Sequence, residues 1–165
     1  MNFNLKNQFQ HSLLQLQTII EKIPADIFHL ALTESMFSLE MNAKIAANFA
    51  LRGYCPLLNE LNKEVISFSS DQMGKAEVIR QITATLSFLN EQPEITELNE
   101  NIKVSEKAGF SEIVLTQPIF IHQYILPNFY FHISMVYAIA RANGVMLSKG
   151  DYDGIHSYPS GFSFT

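Results

Sequence analysis

The 165-residue chain has one cysteine, Cys55, no tryptophan and few charged residues. A lone cysteine cannot form an internal disulfide, which is typical of a reducing compartment, so we expect a cytoplasmic location. Charged residues make up 16% of the chain, below the usual share of about 25%. With 47% hydrophobic residues, this composition excludes a disordered chain. The length predicts one domain over residues 1–165 that needs no disulfide or structural metal to fold.

An excess of basic residues is also missing. Lys and Arg number 11 against 16 Asp and Glu, which gives a net charge of −5, so we expect no nucleic-acid partner. Residues 1–17 have no apolar core of a signal peptide. Residues 113–140 have no charged side chain and could cross a bilayer by length. Their polar groups, such as His122 and Asn128, would be costly in lipid, so we expect no membrane association.

Apolar residues recur at helical spacing in the first half of the chain. The first helix ends at Pro24, and a second runs from about Ser38 into the low fifties and continues past Pro56 through Leu61. Small residues on the second helix allow close packing. A third helix starts at Ser70 or Asp71, which are good N-caps. The residues that share one helix face are Phe9, Leu13, Leu16, Ile20 and Ile23 on the first helix, Asn42, Ile45, Ala46, Phe49 and Gly53 on the second, and Val78, Ile82, Leu86 and Leu89 on the third.

The apolar pattern changes after the third helix. Alternating residues around Val104 and an apolar run at 113–115 predict a β-hairpin with its loop near Gly109. A last helix over about 118–143 follows, with a kink at Pro127. We expect the Gly- and Ser-rich tail, 144–165, to be irregular, above all from about residue 153. The chain is therefore predicted to be an all-α four-helix bundle with a small β-hairpin before its last helix.

The kink region carries the best candidate for chemistry. Asn128 and His132 are four residues apart and share one face of the last helix beside Pro127. They could line a polar pocket, or His132 could be a satisfied core histidine beside a structural kink. No two histidines are three or four residues apart, and His122 and His132 point too far apart to share a metal ion. Cys55 has the setting of a packing residue.

The same region carries a family resemblance. The run Leu-Pro-Asn-Phe-Tyr-Phe-His at 126–132 is followed by Tyr137, by Arg-Ala-Asn-Gly-Val at 141–145 and by Lys-Gly-Asp-Tyr at 149–152. This order resembles the signature of a bacterial domain-of-unknown-function family within the DinB/YfiT-like superfamily. The resemblance extends over about residues 5–153. It implies a four-helix bundle, commonly dimeric.

Many members of that superfamily hold a divalent metal on three histidines, and some of them are thiol-dependent transferases or hydrolase-like enzymes. His132 matches one ligand position, because it stands nine residues before Arg141 and twelve before Gly144. The resemblance puts Asn128 at another ligand position of the same helix. The remaining ligand position, on the second helix, falls at or near Asn42. Amides are poor ligands for zinc or nickel. The resemblance therefore implies the place of a pocket and a degenerate metal site.

Two functions follow as hypotheses. The first is a non-enzymatic, homodimeric bundle that binds a small molecule in a pocket of Asn42, Asn128, His132 and Tyr137. The second is an enzyme that depends on a divalent transition metal, with an altered ligand set centred on His132. Its additional ligands would come from Glu40, Tyr130, Tyr137, Asp151 or His156.

Overall fold

Helices account for most of residues 4–58 and 71–163, which are the parts of the chain that the computed structural model describes. The long helices α1, α2, α3 and α5 pack around one apolar core, as the sequence predicts. None of the described helices combines the length and the apolarity that a bilayer crossing requires. The elements are α1 Leu5–Lys22, α2 Leu39–Tyr54, α3 Lys75–Glu91, β1 Lys103–Ala108, β2 Ser111–Thr116, α4 Gln117–Ile119, a π-helical segment Phe120–Ile125, α5 Leu126–Ala142 and α6 Lys149–Asp153.

The first helix ends and the second helix begins where the sequence predicts. The Asn4 side chain accepts a hydrogen bond from the Asn7 amide at the start of α1, which ends before Pro24. Ser38 caps α2 in the same way. After α2 the chain forms a 3₁₀ turn, Cys55–Leu57, instead of the expected continuation of the helix. Leu61 lies outside the described residues.

The start of α3 differs from the prediction. Asp71 lies before the helix, whose first residue is Lys75, and Ser70 is outside the described residues. Two side chains of α2 hold the segment before α3. The Glu40 carboxylate accepts a hydrogen bond from the Gly74 amide at 2.8 Å, and the Lys44 ammonium donates to the Gln72 carbonyl at 2.6 Å. These tertiary contacts override the local capping preference.

The predicted hairpin is confirmed. β1 and β2 pair antiparallel, and a turn at Gly109 and Phe110 joins them. Gly109 has φ +60° while Phe110 has no positive φ, which is the requirement of a type II′ turn. Val104 and Leu115 pair on the inner face and contact the core.

A single arginine of α2 fastens the hairpin to the bundle. Arg52 Nη2 donates to the Glu106 carboxylate at 3.0 Å, to the Lys107 carbonyl at 3.1 Å and to the Tyr124 hydroxyl at 3.1 Å. The guanidinium also lies 4.6 Å from the centre of the Phe49 ring. Because a two-stranded hairpin is marginal alone, these contacts give it the support that it needs.

The last helix accommodates Pro127 through a change of helix type. Residues 120–125 form a π-helical segment in which the Leu126 amide donates to the Ile121 carbonyl, five residues earlier. Pro127 follows at once and has no amide hydrogen to donate. The widened turn keeps the run 117–142 helical through Pro127. At its end the Gly144 and Val145 amides donate to the Arg141 and Ala140 carbonyls, a Schellman motif.

The tail is more ordered than expected up to Asp153. Lys149–Asp153 forms the short helix α6, which starts with a capping box of Ser148 and Asp151. Lys22 of α1 forms a 2.5 Å ion pair with Asp151, and His11 Nε2 donates to the Asp153 carbonyl at 2.8 Å. Residues 155–163 are irregular, in agreement with the prediction.

Gly53 marks the closest approach between α2 and the π-helical segment. A Cβ placed there would lie 2.5 Å from Ile125 Cγ2 and 3.2 Å from Phe9 Cζ. Ile125 is β-branched, so this methyl group cannot move away by a simple rotation. The missing side chain of Gly53 therefore sets the spacing between the two helices.

We expect Gly53→Ala to lower the free energy of unfolding by about 1–2 kcal/mol, because overpacking outweighs the gain in helix propensity. Chemical denaturation measures the change. In an Ile125→Leu background, which removes Cγ2 at nearly constant volume, the penalty should shrink or reverse. The same penalty in both backgrounds would contradict the contact.

Candidate functional site

Asn42 and His132 meet at the centre of the α2–α5 interface. Asn42 Oδ1 lies 2.8 Å from His132 Nδ1, and both residues are buried. Asn42 Nδ2 donates to the Phe37 carbonyl at 3.0 Å and to the Ser38 carbonyl at 2.9 Å. Because the amide nitrogen is used as a donor, Oδ1 must be the acceptor toward the imidazole. His132 therefore carries its proton on Nδ1, and Nε2 keeps a lone pair.

Aromatic rings surround the imidazole. Phe49 stacks on it at 5.7 Å between ring centres with a 22° angle, and Phe131 meets it edge-on at 5.1 Å. Phe37 lies 6.4 Å away. Phe49 is buried, whereas Phe37 and Phe131 are 55% and 50% exposed. The imidazole thus lies beneath two aromatic side chains that reach solvent.

Burial decides the charge of this histidine. It lowers the pKa of His132 to about 4, because the apolar surroundings penalise the imidazolium form. At neutral pH the ring is uncharged, with one donor engaged by Asn42. Among the described residues, no hydrogen-bond partner occupies Nε2. The site can therefore accept a hydrogen bond, but at neutral pH it offers no cation.

The other two predicted pocket residues are engaged elsewhere. Asn128 is half-buried, and its Nδ2 donates to the Tyr124 carbonyl at 2.7 Å within its own helix. Tyr137 lies about 140° around the helix from His132. Its hydroxyl donates to the Leu147 carbonyl at 3.4 Å and its ring meets Tyr152. The structure thus joins Asn42 and His132, and it gives the side chains of Asn128 and Tyr137 other partners.

The donor set around His132 does not fit a three-ligand metal site. The oxygen of Asn42 already accepts the imidazole proton, and an amide is a weak ligand for a transition metal. In residues 4–58 and 71–163, no group of three His, Cys, Asp or Glu side chains is placed to hold a metal.

The additional ligands of the metal hypothesis also have contacts of their own. Glu40 binds the Gly74 amide, Tyr130 accepts a hydrogen bond from Gln8, Asp151 pairs with Lys22, and His156 pairs with Asp153.

Sequence reasoning missed the aromatic part of the site. The predicted face of the second helix does include both Asn42 and Phe49, but it gave Phe49 no role at the site. Phe37 precedes the cap of α2, and only the folded chain brings it to α5. The aromatic run at 129–131 is typical of core and interface packing. Phe129 does pack on Phe9, whereas Phe131 lies at the surface beside His132.

Known proteins share this architecture. A family model described as a domain of unknown function (DUF1993) matches residues 4–153. The fold is similar to the crystal structure of a DinB family member protein from Shewanella denitrificans, with a TM-score of 0.76 and 25% identity. The match covers 94% of this chain and 92% of that one. A search of curated proteins found no match.

The depressed pKa of His132 predicts a loss of stability in acid. Between pH 6.5, the ordinary value, and about pH 4, the unfolded chain binds this proton and the folded chain does not. The free energy of unfolding should therefore fall by about 3 kcal/mol over this range from His132 alone. Urea denaturation across the range measures it.

His132→Gln is the matched variant, because its amide can still donate to Asn42 but does not titrate. Between pH 6.5 and about pH 4, the free energy of unfolding of this variant should fall by roughly 3 kcal/mol less than that of the wild type. His29 is exposed, so His29→Gln serves as the control and should leave the pH dependence unchanged. Parallel curves for the wild type and His132→Gln would contradict the assignment.

Proposed function

The chain belongs to the DUF1993 family, a domain of unknown function within the DinB-like superfamily, and from this premise we propose a binding function. The protein is a non-enzymatic bundle that holds a small neutral molecule against His132. The observation that carries the proposal is the hydrogen bond between Asn42 Oδ1 and His132 Nδ1. It fixes the imidazole and leaves Nε2 as an oriented acceptor among aromatic rings.

The chemistry of the site selects the ligand class. A lone pair on Nε2 needs an N–H or O–H donor, and the rings of Phe37 and Phe131 favour a flat apolar body. A carboxylate is disfavoured, because the neutral imidazole has no remaining donor for it. We therefore propose ligands such as phenols, indoles or primary aromatic amides.

A metal-dependent enzyme, of hydrolase or thiol-transferase type, is the alternative. His132 could supply one ligand through Nε2, and a bound transition metal would supply Lewis acidity. The residues around His132 support this alternative less well than the binding of a neutral molecule. The Asn42 oxygen already accepts the imidazole proton, so it is not available as a metal ligand.

The test is a thermal-shift and calorimetry screen with phenol, indole and benzamide as probes. We expect at least one probe to bind wild-type protein, and His132→Phe to weaken binding about tenfold, the usual effect of one lost buried hydrogen bond. Phe37→Ala should weaken it less, and since Phe37 is half-exposed, this variant keeps the core intact. His29→Gln is the control.

Two results would overturn the proposal. One is binding that neither His132→Phe nor Phe37→Ala changes. The other is near one equivalent of a transition metal in untagged protein, measured by elemental mass spectrometry and lost in His132→Ala. That second result would establish the metal-dependent alternative.

We further propose that the protein acts as a cytoplasmic homodimer. The supporting observations are the low charge content and the half-exposed apolar side chains of Ile119 and Phe131 on the last helical run. The lone cysteine supports the location. Light scattering at micromolar concentration should give twice the 18.7 kDa chain mass. A monomer at that concentration would contradict the assembly.

A further inference from the structure

A cavity lies near the C-terminal end of α5, between that helix, α6 and the tail. Its volume is about 550 Å³, within the range of small-molecule sites. Arg141, Ser148 and Asp151 provide its polar lining, and Tyr137, Tyr158 and Phe162 are its aromatic lining. This cavity contains none of the residues that surround His132.

Arg141 provides the positive charge of this cavity. Its Nη1 donates to the Val145 carbonyl at 3.3 Å, which uses one of its five N–H groups. Within the described part of the chain, no carboxylate forms an ion pair with it. The guanidinium is exposed and can therefore offer two parallel donors to an anion.

The Asp151 carboxylate in the same cavity is already satisfied. Its Oδ1 accepts from Lys22, and its Oδ2 accepts from the amide and hydroxyl of Ser148. These contacts lower the pKa of Asp151 although partial burial opposes the shift. Its charge remains near the cavity, however, so a dianion would be repelled more strongly than a monoanion.

The aromatic walls are held in place by their own contacts. Tyr158 and Phe162 stack with ring centres 5.0 Å apart at 15°. A turn brings them together, because the Phe162 amide donates to the Pro159 carbonyl and Gly161 has φ +79°. On the opposite side the ring of Tyr137 packs edge-on against Tyr152 at 6.1 Å.

From these features we propose that the cavity binds a small aromatic carboxylate. The carboxylate pairs with the guanidinium of Arg141, and the ring packs between Tyr137 and the Tyr158–Phe162 pair. This cavity selects an anionic ligand, whereas the His132 site selects a neutral ligand that donates a hydrogen bond. The two sites therefore select different molecules on one bundle.

The experiment is titration calorimetry with 4-hydroxyphenylacetate and with its neutral analogue 4-hydroxyphenylacetamide. We expect the acid to bind and the amide to bind about tenfold more weakly or not at all, because only the acid pairs with Arg141. Arg141→Gln should weaken binding of the acid by about the same factor. Phe162→Ala should also weaken it. Since Arg141 and Phe162 are exposed, both variants should fold, which circular dichroism checks.

Two control variants test whether the acid binds in this cavity and nowhere else on the bundle. Lys149→Gln removes a nearby exposed cation that does not line the cavity and should leave the affinity unchanged. His132→Phe should also leave it unchanged. The proposal is overturned by no binding of the acid, by equal binding of acid and amide, by an unaffected Arg141→Gln, or by a loss of binding in either control.

Discussion

The close approach of α2 to the last helical run is the constraint on which the rest of the structure depends. Buried alanines line α2 from Ala43 to Ala50, and at Gly53 a side chain would collide with Ile125. Short side chains let the two backbones come close enough for polar groups of both helices to meet. The Asn42–His132 hydrogen bond is a consequence of that spacing. A larger residue at one of these α2 positions would separate Asn42 from His132 and leave two buried polar groups without partners. The loss of stability would exceed the net contribution of the hydrogen bond itself.

The imidazole in this position is a fixed, neutral group. The Asn42 amide donates to the Phe37 and Ser38 carbonyls and accepts a hydrogen bond from His132 Nδ1. One side chain therefore joins the residues before α2 to α5. A histidine that binds a metal usually donates its second nitrogen to an oxygen in the same way. Here that orienting oxygen belongs to the residue that the family resemblance places at a ligand position. The amide thus orients the imidazole, and its oxygen is engaged by the imidazole proton.

The features that the sequence predicts well are those decided by neighbouring residues. Helical stripes, the end of α1 before Pro24, the start of α2 after Ser38 and the turn at Gly109 depend on local spacing and local backbone preference. The start of α3 and the helix α6 depend on Glu40 and Lys22, which are distant in the sequence. Such long-range contacts leave no periodic signal. His132 and Asn42 could be selected through the family resemblance, and Phe49 lies on the predicted face of Asn42. The contacts of Phe37 and Phe131 with His132, and the separate position of Tyr137, could not be predicted.

The site at His132 is continuous with the contacts that hold the hairpin. Phe49 stacks on the imidazole and also meets the guanidinium of Arg52, which binds Glu106 of β1. A positive charge on His132 would place two cations against one aromatic ring inside the bundle. Burial disfavours that state. Because the imidazole and the guanidinium both contact this ring, a change at Phe49 would alter the burial of His132 and the attachment of the hairpin together.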